Sequence, residues 1–253
     1  MISALLLGVV CLVVGFLCGG TGVGGIILIP ALTLLTDLDT HTAMATALAS
    51  FFFTATQIGA MYARRGLLDT SLLLPMVCGG LVFAYTGALF KSMVSAPLLN
   101  TALALLILLS AVSILRPVRQ GRYSFAEAPR GIRNAFLFSM GALAGLAAGL
   151  TGVGGPIVST PLMIYFGFSP LCCVAVGQAY IVAAALSGTV GNLMYGRLDY
   201  GILLGITVIQ MIGTVLGVRL ACRISQPLLR GIVAWVCIGI GLLLLGEAAF
   251  GIR

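Results

Sequence analysis

Apolar residues run along this chain in long uncharged blocks that short polar turns separate. With the one histidine counted as neutral, the uncharged blocks are residues 1–36, 40–63, 70–90, 92–115, 134–196 and 200–218. A helix needs about 20 apolar residues to cross a bilayer, so the longest block must hold more than one segment. The pattern predicts an all-α integral membrane protein with apolar segments at 2–36, 40–62, 70–90, 94–115, 134–166, 171–194, 200–220 and 227–246.

Glycine-rich breaks interrupt two of these segments, as "GGTGVGG" at 19–25 and "TGVGG" at 151–155. Irregular backbone survives at membrane depth only where it is buried in protein or lines a watery cavity. Backbone N–H groups freed at the start of a short helix suit an anion, and breaks at matching places in two repeats are typical of transporter sites. The alternative is that these glycines only let helices pack closely. The candidate ligands are Thr21, Gly22, Gly24, Gly25, Thr151, Gly152, Gly154 and Gly155.

The two halves of the chain repeat each other. "TGVGG" recurs after 130 residues, and "GLLD" at 66–69 recurs as "GRLD" at 196–199 with the same offset. Each half has a broken segment, a long helix, a turn that ends in aspartate, and two more helices. The sequence therefore predicts an N-terminal membrane repeat at 1–115, a polar, arginine-rich linker at 116–133 and a C-terminal membrane repeat at 134–253.

The broken segments leave two topologies open. As re-entrant hairpins they return to the side from which they started, and the repeats are inverted; as full crossings they leave the repeats parallel. Hairpins place ten of the 13 Lys and Arg residues on the linker side, whereas full crossings place nine there. Because positive charges mark cytoplasmic loops, the counts favour hairpins and a cytoplasmic linker by a small margin. The linker side of the hairpin topology holds Arg64, Arg65, Arg116, Arg119, Arg122, Arg130, Arg133, Arg219, Arg223 and Arg230, and the other side holds Lys91, Arg197 and Arg253.

A stripe of uncharged polar residues follows the long second helix of each half. In the first half, Thr46, Ser50, Thr54 and Gln57 are three or four residues apart and share one helix face. A corresponding stripe begins at Gln178 in the second half. Such stripes suit a hydrated path, although ordinary hydrogen bonding between helices would explain them as well. The stripes add Ser50, Gln57, Gln178, Thr189 and Asn192 to the candidate substrate-binding residues.

Composition narrows the classes of function. Hydrophobic residues make up 60% of the 253 residues and charged residues 8%, against about 25% charged residues in soluble domains. Cytoplasmic loops account for the net charge of +7, so no nucleic-acid partner is expected. The seven cysteines lie mostly in apolar blocks, and neither a metal site nor a cofactor is expected. Asp69 and Asp199 are expected to cap helices, and the only histidine, His41, lies at a predicted helix start.

The motifs resemble those of the TauE/SafE family, which is also called the sulfite exporter or TSUP family. The resemblance rests on "GFLCGGTGVGGIILIPAL", "AMATALA" and "MYARRGLLD" in the first half, and on "GLAAGLTGVGGPIVSTPLMIYFG", "AVGQAYI" and "MYGRLD" in the second. It implies a carrier of four plus four helices that moves small sulfur-containing anions such as sulfite, thiosulfate, sulfoacetate or other organosulfonates. It also implies that the glycine motifs named above belong to the site. Gln178 departs from the family, whose pattern often has a small hydroxyl residue at this position.

These patterns predict a secondary transporter of small sulfur-containing anions, working by alternating access in the cell membrane, of the kind found in a bacterial inner membrane. The anion would be held by backbone N–H groups and neutral polar side chains between the repeats. The alternatives are an anion channel, a membrane-embedded enzyme or a scaffold. No catalytic residues are expected, and coupling to a proton or another ion is left open, as are the direction of transport and the oligomeric state.

Overall fold

All the regular structure that we describe is helical. The structure is a computed structural model that describes residues 2–22, 24–90, 125–151, 155–195 and 198–225, with short pieces of 101–112 and 227–246. No strand occurs in these residues, which confirms the all-α prediction. Most of the predicted segments 94–115 and 227–246 lie outside the described residues. The helices with described ends are α1 (Ile2–Thr21), α2 (Gly25–Leu35), α3 (Thr40–Ala63), α4 (Thr70–Phe90), α5 (Arg130–Thr151), α6 (Pro156–Tyr165), α7 (Pro170–Tyr195) and α8 (Tyr200–Ala221).

Six of these helices, α1, α3, α4, α5, α7 and α8, are long and apolar enough to cross a membrane. Large apolar side chains on their outer faces are exposed, among them Leu5, Leu74 and Leu204. A water-soluble protein would bury such side chains, whereas a bilayer solvates them. The fold is therefore that of a multi-pass membrane protein, as the sequence predicts.

Helices α3 and α7 form the centre of the molecule. Of their membrane-length segments, 67% and 61% of the residues are buried, against 33–44% in the other four long helices. The pair runs antiparallel, because Gly59 lies against Ala179 while Leu48, eleven residues earlier, lies against Gly188, nine residues later. These are the second helices of the two predicted repeats, so the equivalent helices of the halves point in opposite directions.

Two parallel helix pairs flank this centre, α1 with α8 and α4 with α5, and each joins one half of the chain to the other. Glycines set the close spacing of both pairs. A Cβ on Gly217 of α8 would lie 2.1 Å from the carbonyl oxygen of Phe16, and a Cβ on Gly149 of α5 would lie 2.2 Å from that of Ala84. Small residues at three- or four-residue spacing allow this approach, so the two halves interlock through bare backbone.

The chain doubles back at both glycine breaks. A Cβ on Gly24 would lie 3.0 Å from the carbonyl oxygen of Val14, ten residues earlier. A Cβ on Gly155 would lie 2.9 Å from that of Ala144, which follows Val14 by 130 residues. Each short helix therefore starts alongside the long helix before it, as in a helical hairpin, and this geometry favours the hairpin alternative over a full crossing.

One helix boundary departs from the predicted segments. Helix α5 begins at Arg130, four residues before the apolar segment and inside the predicted linker. The backbone N–H of Arg133 already donates to the carbonyl of Pro129. Hydropathy marks where a helix enters the apolar part of a membrane, whereas hydrogen bonding decides where it begins, so charged residues can form the first turn.

The two aspartates that precede α4 and α8 cap these helices, as the sequence predicts. Asp199 accepts a hydrogen bond of 2.8 Å from the backbone N–H of Ile202, in the first turn of α8. Asp69 accepts one of the same length from the backbone N–H of Ser71, in the first turn of α4. Both carboxylates thus compensate N–H groups that have no partner within the helix.

Candidate functional site

A small cavity lies where the first glycine break meets the start of α6, with α3 and α7 at its sides. Its volume is about 20 Å³, which is room for one water molecule. Four candidates from the sequence, three glycines of the first break and the glutamine of α7, meet here. No charged side chain is among the lining residues that the structure describes. These residues are Cys18, Gly22, Gly24, Gly25, Phe51, Thr54, Ala55, Pro156, Ile157, Gln178 and Ile181.

The first break is tied to the centre of the molecule by Gln178. The side-chain amide of Gln178 donates a hydrogen bond of 3.2 Å to the carbonyl oxygen of Gly22. Gly22 has a φ of +77°, a conformation that favours glycine. Gln178 is buried, and its Nε2 has two N–H groups, of which this bond uses one. The residue that departs from the family pattern thus contacts the break directly.

The second break offers a different set of donors. Gly155 and Pro156 open α6, and proline has no backbone N–H, so the first turn of α6 presents one N–H fewer than that of α2. Gly152 and Gly154, both predicted ligands, lie outside the described residues. The two breaks are therefore related by sequence, but they are not chemically equivalent.

Two hydroxyl groups on α6 have no hydrogen-bond partner. Ser159 and Thr160 are fully buried, and neither side-chain oxygen is paired. The Thr160 oxygen lies beneath the first break, since a Cβ on Gly22 would lie 3.2 Å from it and a Cβ on Gly177 would lie 3.1 Å from it. Unpaired polar groups of this kind are rare in protein interiors and call for an explanation.

Sequence reasoning missed both hydroxyls, although a signal was present. The second half-helix contains "VSTP" where the first contains "ILIP" at the corresponding place. Ser159 and Thr160 are thus the polar residues of an otherwise apolar half-helix, next to a glycine break. A comparison of the two halves for differences, as well as for shared motifs, would have selected them.

The threonines of the two breaks are bonded in the same way. The hydroxyl of Thr21 donates to the carbonyl of Leu17 at 2.8 Å, and that of Thr151 donates to the carbonyl of Ala147 at 2.7 Å. Donor and acceptor pairs are both 130 residues apart, and both threonines are buried. In this conformation the two hydroxyls bond the last turns of α1 and α5.

Two other candidates, Ser50 and Gln57, lie at a second polar cluster between α3 and α8. The hydroxyl of Thr214 donates to Gln57 Oε1 at 2.8 Å, and that of Ser50 lies 3.5 Å from Gln210 Oε1. Gln210 is buried, and its Nε2 has no partner. These residues are not among those that line the cavity, and they support hydrogen bonding between helices in the conformation described.

The remaining candidates from the sequence lie on α7. Thr189 is half-buried, and its hydroxyl oxygen is buried without a partner. The side chain of Asn192 lies outside the described residues, as does that of His41. Within the described part of the chain, no group of three or more His, Cys, Asp and Glu residues is arranged to hold a metal ion.

Comparison with known proteins places the chain in a family. Residues 7–244 match the family described as sulfite exporter TauE/SafE. The chain is 28% identical to the probable membrane transporter protein YdhB of Bacillus subtilis over 95% of this chain and all of that protein. It is 25% identical to the probable membrane transporter protein YunE of the same organism, over 96% of this chain and 98% of that one.

No solved structure matches the chain. The family match covers both glycine breaks and all eight helices with described ends, apart from the first residues of α1. Together with the six membrane-length helices, it confirms the resemblance on which the sequence analysis relied. The chain therefore belongs to the TauE/SafE sulfite exporter family of multi-pass membrane transporters.

Proposed function

We propose that this protein is a secondary transporter of a small sulfur-containing anion, such as sulfite, thiosulfate or an organosulfonate, across the cell membrane. The observation that carries the proposal is the meeting of the first glycine break, Gln178 and the unpaired hydroxyl of Thr160 at one buried place. These groups are neutral hydrogen-bond donors, and they lie between the two halves of the chain. Transporters of repeated architecture bind their substrates in such positions.

An anion at this place would be held without a formal positive charge. The lining side chains are uncharged, so the bonds must come from backbone N–H groups, amides and hydroxyls. Hydrogen bonds to a charged group contribute about 1.5–3 kcal/mol each, and several are needed to offset the dehydration of an oxyanion. Ser159 and Thr160 would supply donors on the side where Pro156 removes one. Binding is accordingly expected to be weak and reversible, which suits a transporter.

The size of the cavity supports a carrier rather than a channel. Its volume of about 20 Å³ holds one water molecule, whereas sulfite has four non-hydrogen atoms. Substrate can enter only if the breaks move apart, and the bond from Gln178 to the Gly22 carbonyl is one that this movement would have to break or replace. Binding coupled to such a rearrangement is the essence of alternating access.

The proposed substrate site keeps all the residues predicted from the sequence and gains two. Ser50, Gln57 and Thr189 would join it only in a conformation that differs from this one. Coupling to a proton or another ion, with the bilayer as the surrounding solvent and the linker in the cytoplasm, completes the proposal. The residues are Thr21, Gly22, Gly24, Gly25, Ser50, Gln57, Thr151, Gly152, Gly154, Gly155, Gln178, Thr189 and Asn192, with Ser159 and Thr160 added.

The test is transport by purified protein in proteoliposomes. Uptake of sulfite, thiosulfate, sulfate and an organosulfonate would be measured with and without a pH gradient, against liposomes without protein. We expect saturable uptake of at least one sulfur anion, accelerated when the same anion is loaded inside, as carriers show and channels do not. Uptake equal to that of empty liposomes for every anion would contradict the proposal, and uptake without acceleration by internal substrate would favour the channel.

A further inference from the structure

A groove unrelated to the cavity lies on the outside of the molecule, between the first turns of α4 and α5. Its volume is about 740 Å³. The two helices run parallel, since Gly141 lies against Met76 and Gly149 against Ala84. Their N-terminal ends are therefore side by side, and the partial positive charges of the two helix dipoles add at the same place.

One end of the groove is polar and basic. Ser71, Arg130, Arg133 and Asn134 line it. The guanidinium of Arg133 reaches Ser71, with Nη2 3.5 Å from Oγ, but its Nε is buried and has no hydrogen-bond partner. A guanidinium whose donors are only partly used is suited to a phosphate, which accepts two parallel hydrogen bonds from it.

An acidic residue lies near this basic end and offsets part of its charge. A hydrogen bond from Ser71 lowers the pKa of the Asp69 carboxyl, and the charge of Arg133 lowers it further. Asp69 is therefore ionised at neutral pH and balances one of the two arginines. One positive charge, two helix N-termini and the unused Nε–H remain to attract an anion.

The other end of the groove is apolar and opens outward. It is lined by Leu74, Pro75, Cys78 and Phe138, of which Leu74 is 64% exposed and Phe138 is 41% exposed. At 1.5 Å per residue, Cys78 lies about 10 Å deeper along α4 than Ser71. In a multi-pass membrane protein these residues face lipid tails, while the arginines lie at the level of the lipid headgroups.

We propose that this groove binds an anionic phospholipid, with its phosphate at Arg130 and Arg133 and its acyl chain along Leu74 and Phe138. The combination of a basic end and an apolar end within one groove selects this occupant over a free phosphate, which would make no use of the apolar residues. Basic pockets between helices at a membrane surface are typical sites for anionic headgroups. The proposal is independent of which substrate the protein transports.

The experiment compares lipid binding to detergent-purified protein by native mass spectrometry. The probes are dioleoyl phosphatidylglycerol, dioleoyl phosphatidylcholine with the same chains, and glycerol phosphate without chains. The test variant is Arg130→Gln with Arg133→Gln. The control is Arg64→Gln with Arg219→Gln, which removes the same charge from two exposed arginines at the ends of α3 and α8. Circular dichroism and elution volume would establish that both double variants are folded.

We expect the wild-type protein and the control to prefer phosphatidylglycerol to phosphatidylcholine by about tenfold, since a basic residue near a membrane surface contributes about 1 kcal/mol. The test variant should reduce this preference to about twofold or less. An unchanged preference in the test variant, or an equal loss in the control, would overturn the proposal. Competition by glycerol phosphate as strong as that by the lipid would show a small-anion site and overturn it as well.

A second measurement uses wild-type protein alone, so it does not depend on how the variants fold. Cys78 is exposed at the apolar end of the groove, whereas Cys11, Cys18 and Cys173 are buried. Phosphatidylglycerol added to the micelles should slow the alkylation of Cys78 several-fold more than the same amount of phosphatidylcholine. Equal rates with the two lipids would contradict occupation of the groove by the anionic lipid.

Discussion

Ser159 and Thr160 are the residues at which stability and function separate most clearly. An unpaired buried hydroxyl costs a folded protein about 1–3 kcal/mol, and α6 carries two of them. A half-helix selected for packing alone would have apolar residues at these positions, as α2 does with Ile29 and Pro30. We attribute the difference to an anion that uses both hydroxyls when the breaks move apart.

The replacement Thr160→Val tests this interpretation, because valine keeps the shape of threonine and removes the hydroxyl. We expect transport of the sulfur anion to fall by about tenfold or more, which corresponds to about 1.4 kcal/mol of binding. The thermal midpoint should stay equal or rise, since the unpaired group is gone. The control is Thr33→Val on α2, whose hydroxyl already donates to Pro30. Lower stability with unchanged transport in Thr160→Val would assign the hydroxyl to the fold.

Gln178 and Gln57 give a paired prediction, because the sequence selects both and the structure separates them. Gln178 bonds the Gly22 carbonyl, whereas Gln57 accepts from Thr214 away from the cavity. Gln178→Leu should weaken binding of the transported anion by about tenfold, and Gln57→Leu by less than about threefold. Titration of purified protein with the anion would measure both. A larger loss for Gln57→Leu would mean that the substrate binds at α8.

At the scale of the elements, the sequence predicted the helices well because apolar length alone specifies them. The predicted start and end of α3, α4, α7 and α8 agree with the structure to within one residue. The roles of the glycines were harder to predict, since most of them contact backbone far away in the chain. Gly19, inside the motif "GGTGVGG", lies 2.5 Å from the Thr214 carbonyl if given a Cβ, so it packs a helix pair. Both alternatives for the glycines therefore hold, at different positions of one motif.

Two glycines of α8 allow a matched test of helix packing. A Cβ on Gly217 would lie 2.1 Å from the Phe16 carbonyl oxygen, whereas nothing lies within 4 Å of a Cβ on Gly205. Gly217→Ala should lower stability by about 1–3 kcal/mol, because overpacking forces α1 and α8 apart. Gly205→Ala should leave stability unchanged or raise it, since alanine favours helix. Thermal unfolding in detergent would compare them; equal midpoints would mean that the α1–α8 contact tolerates a side chain.

At the scale of the whole molecule, the structure bears on the choice that charge counting left nearly balanced. In the full-crossing topology α3 and α7 would run parallel, yet Gly59 meets Ala179 and Gly188 meets Leu48. The ends of α3 and α8 would lie on opposite sides, yet Arg65 at the end of α3 donates to the Val218 carbonyl near the end of α8. No local pattern in the sequence could supply these contacts, because they join residues more than a hundred positions apart.

We therefore expect hairpins and inverted repeats, and four exposed positions distinguish them from full crossings. Single cysteines would replace Asp37, Glu127, Tyr200 or Ser225 in a protein whose seven native cysteines have been removed. Hairpins place Asp37 and Tyr200 on one side of the membrane, and Glu127 and Ser225 on the other. Full crossings pair Asp37 with Ser225 and Tyr200 with Glu127 instead.

The measurement is labelling of intact cells with an impermeant maleimide, compared with labelling after the membrane is opened. Since the arginine-rich side is expected to be cytoplasmic, Asp37→Cys and Tyr200→Cys should react from outside, and Glu127→Cys and Ser225→Cys only after opening. Each absolute assignment can be wrong without affecting the pairing, because reversing the whole protein exchanges both pairs together. External labelling of Tyr200→Cys and Glu127→Cys, with the other two protected, would instead require full crossings and parallel repeats.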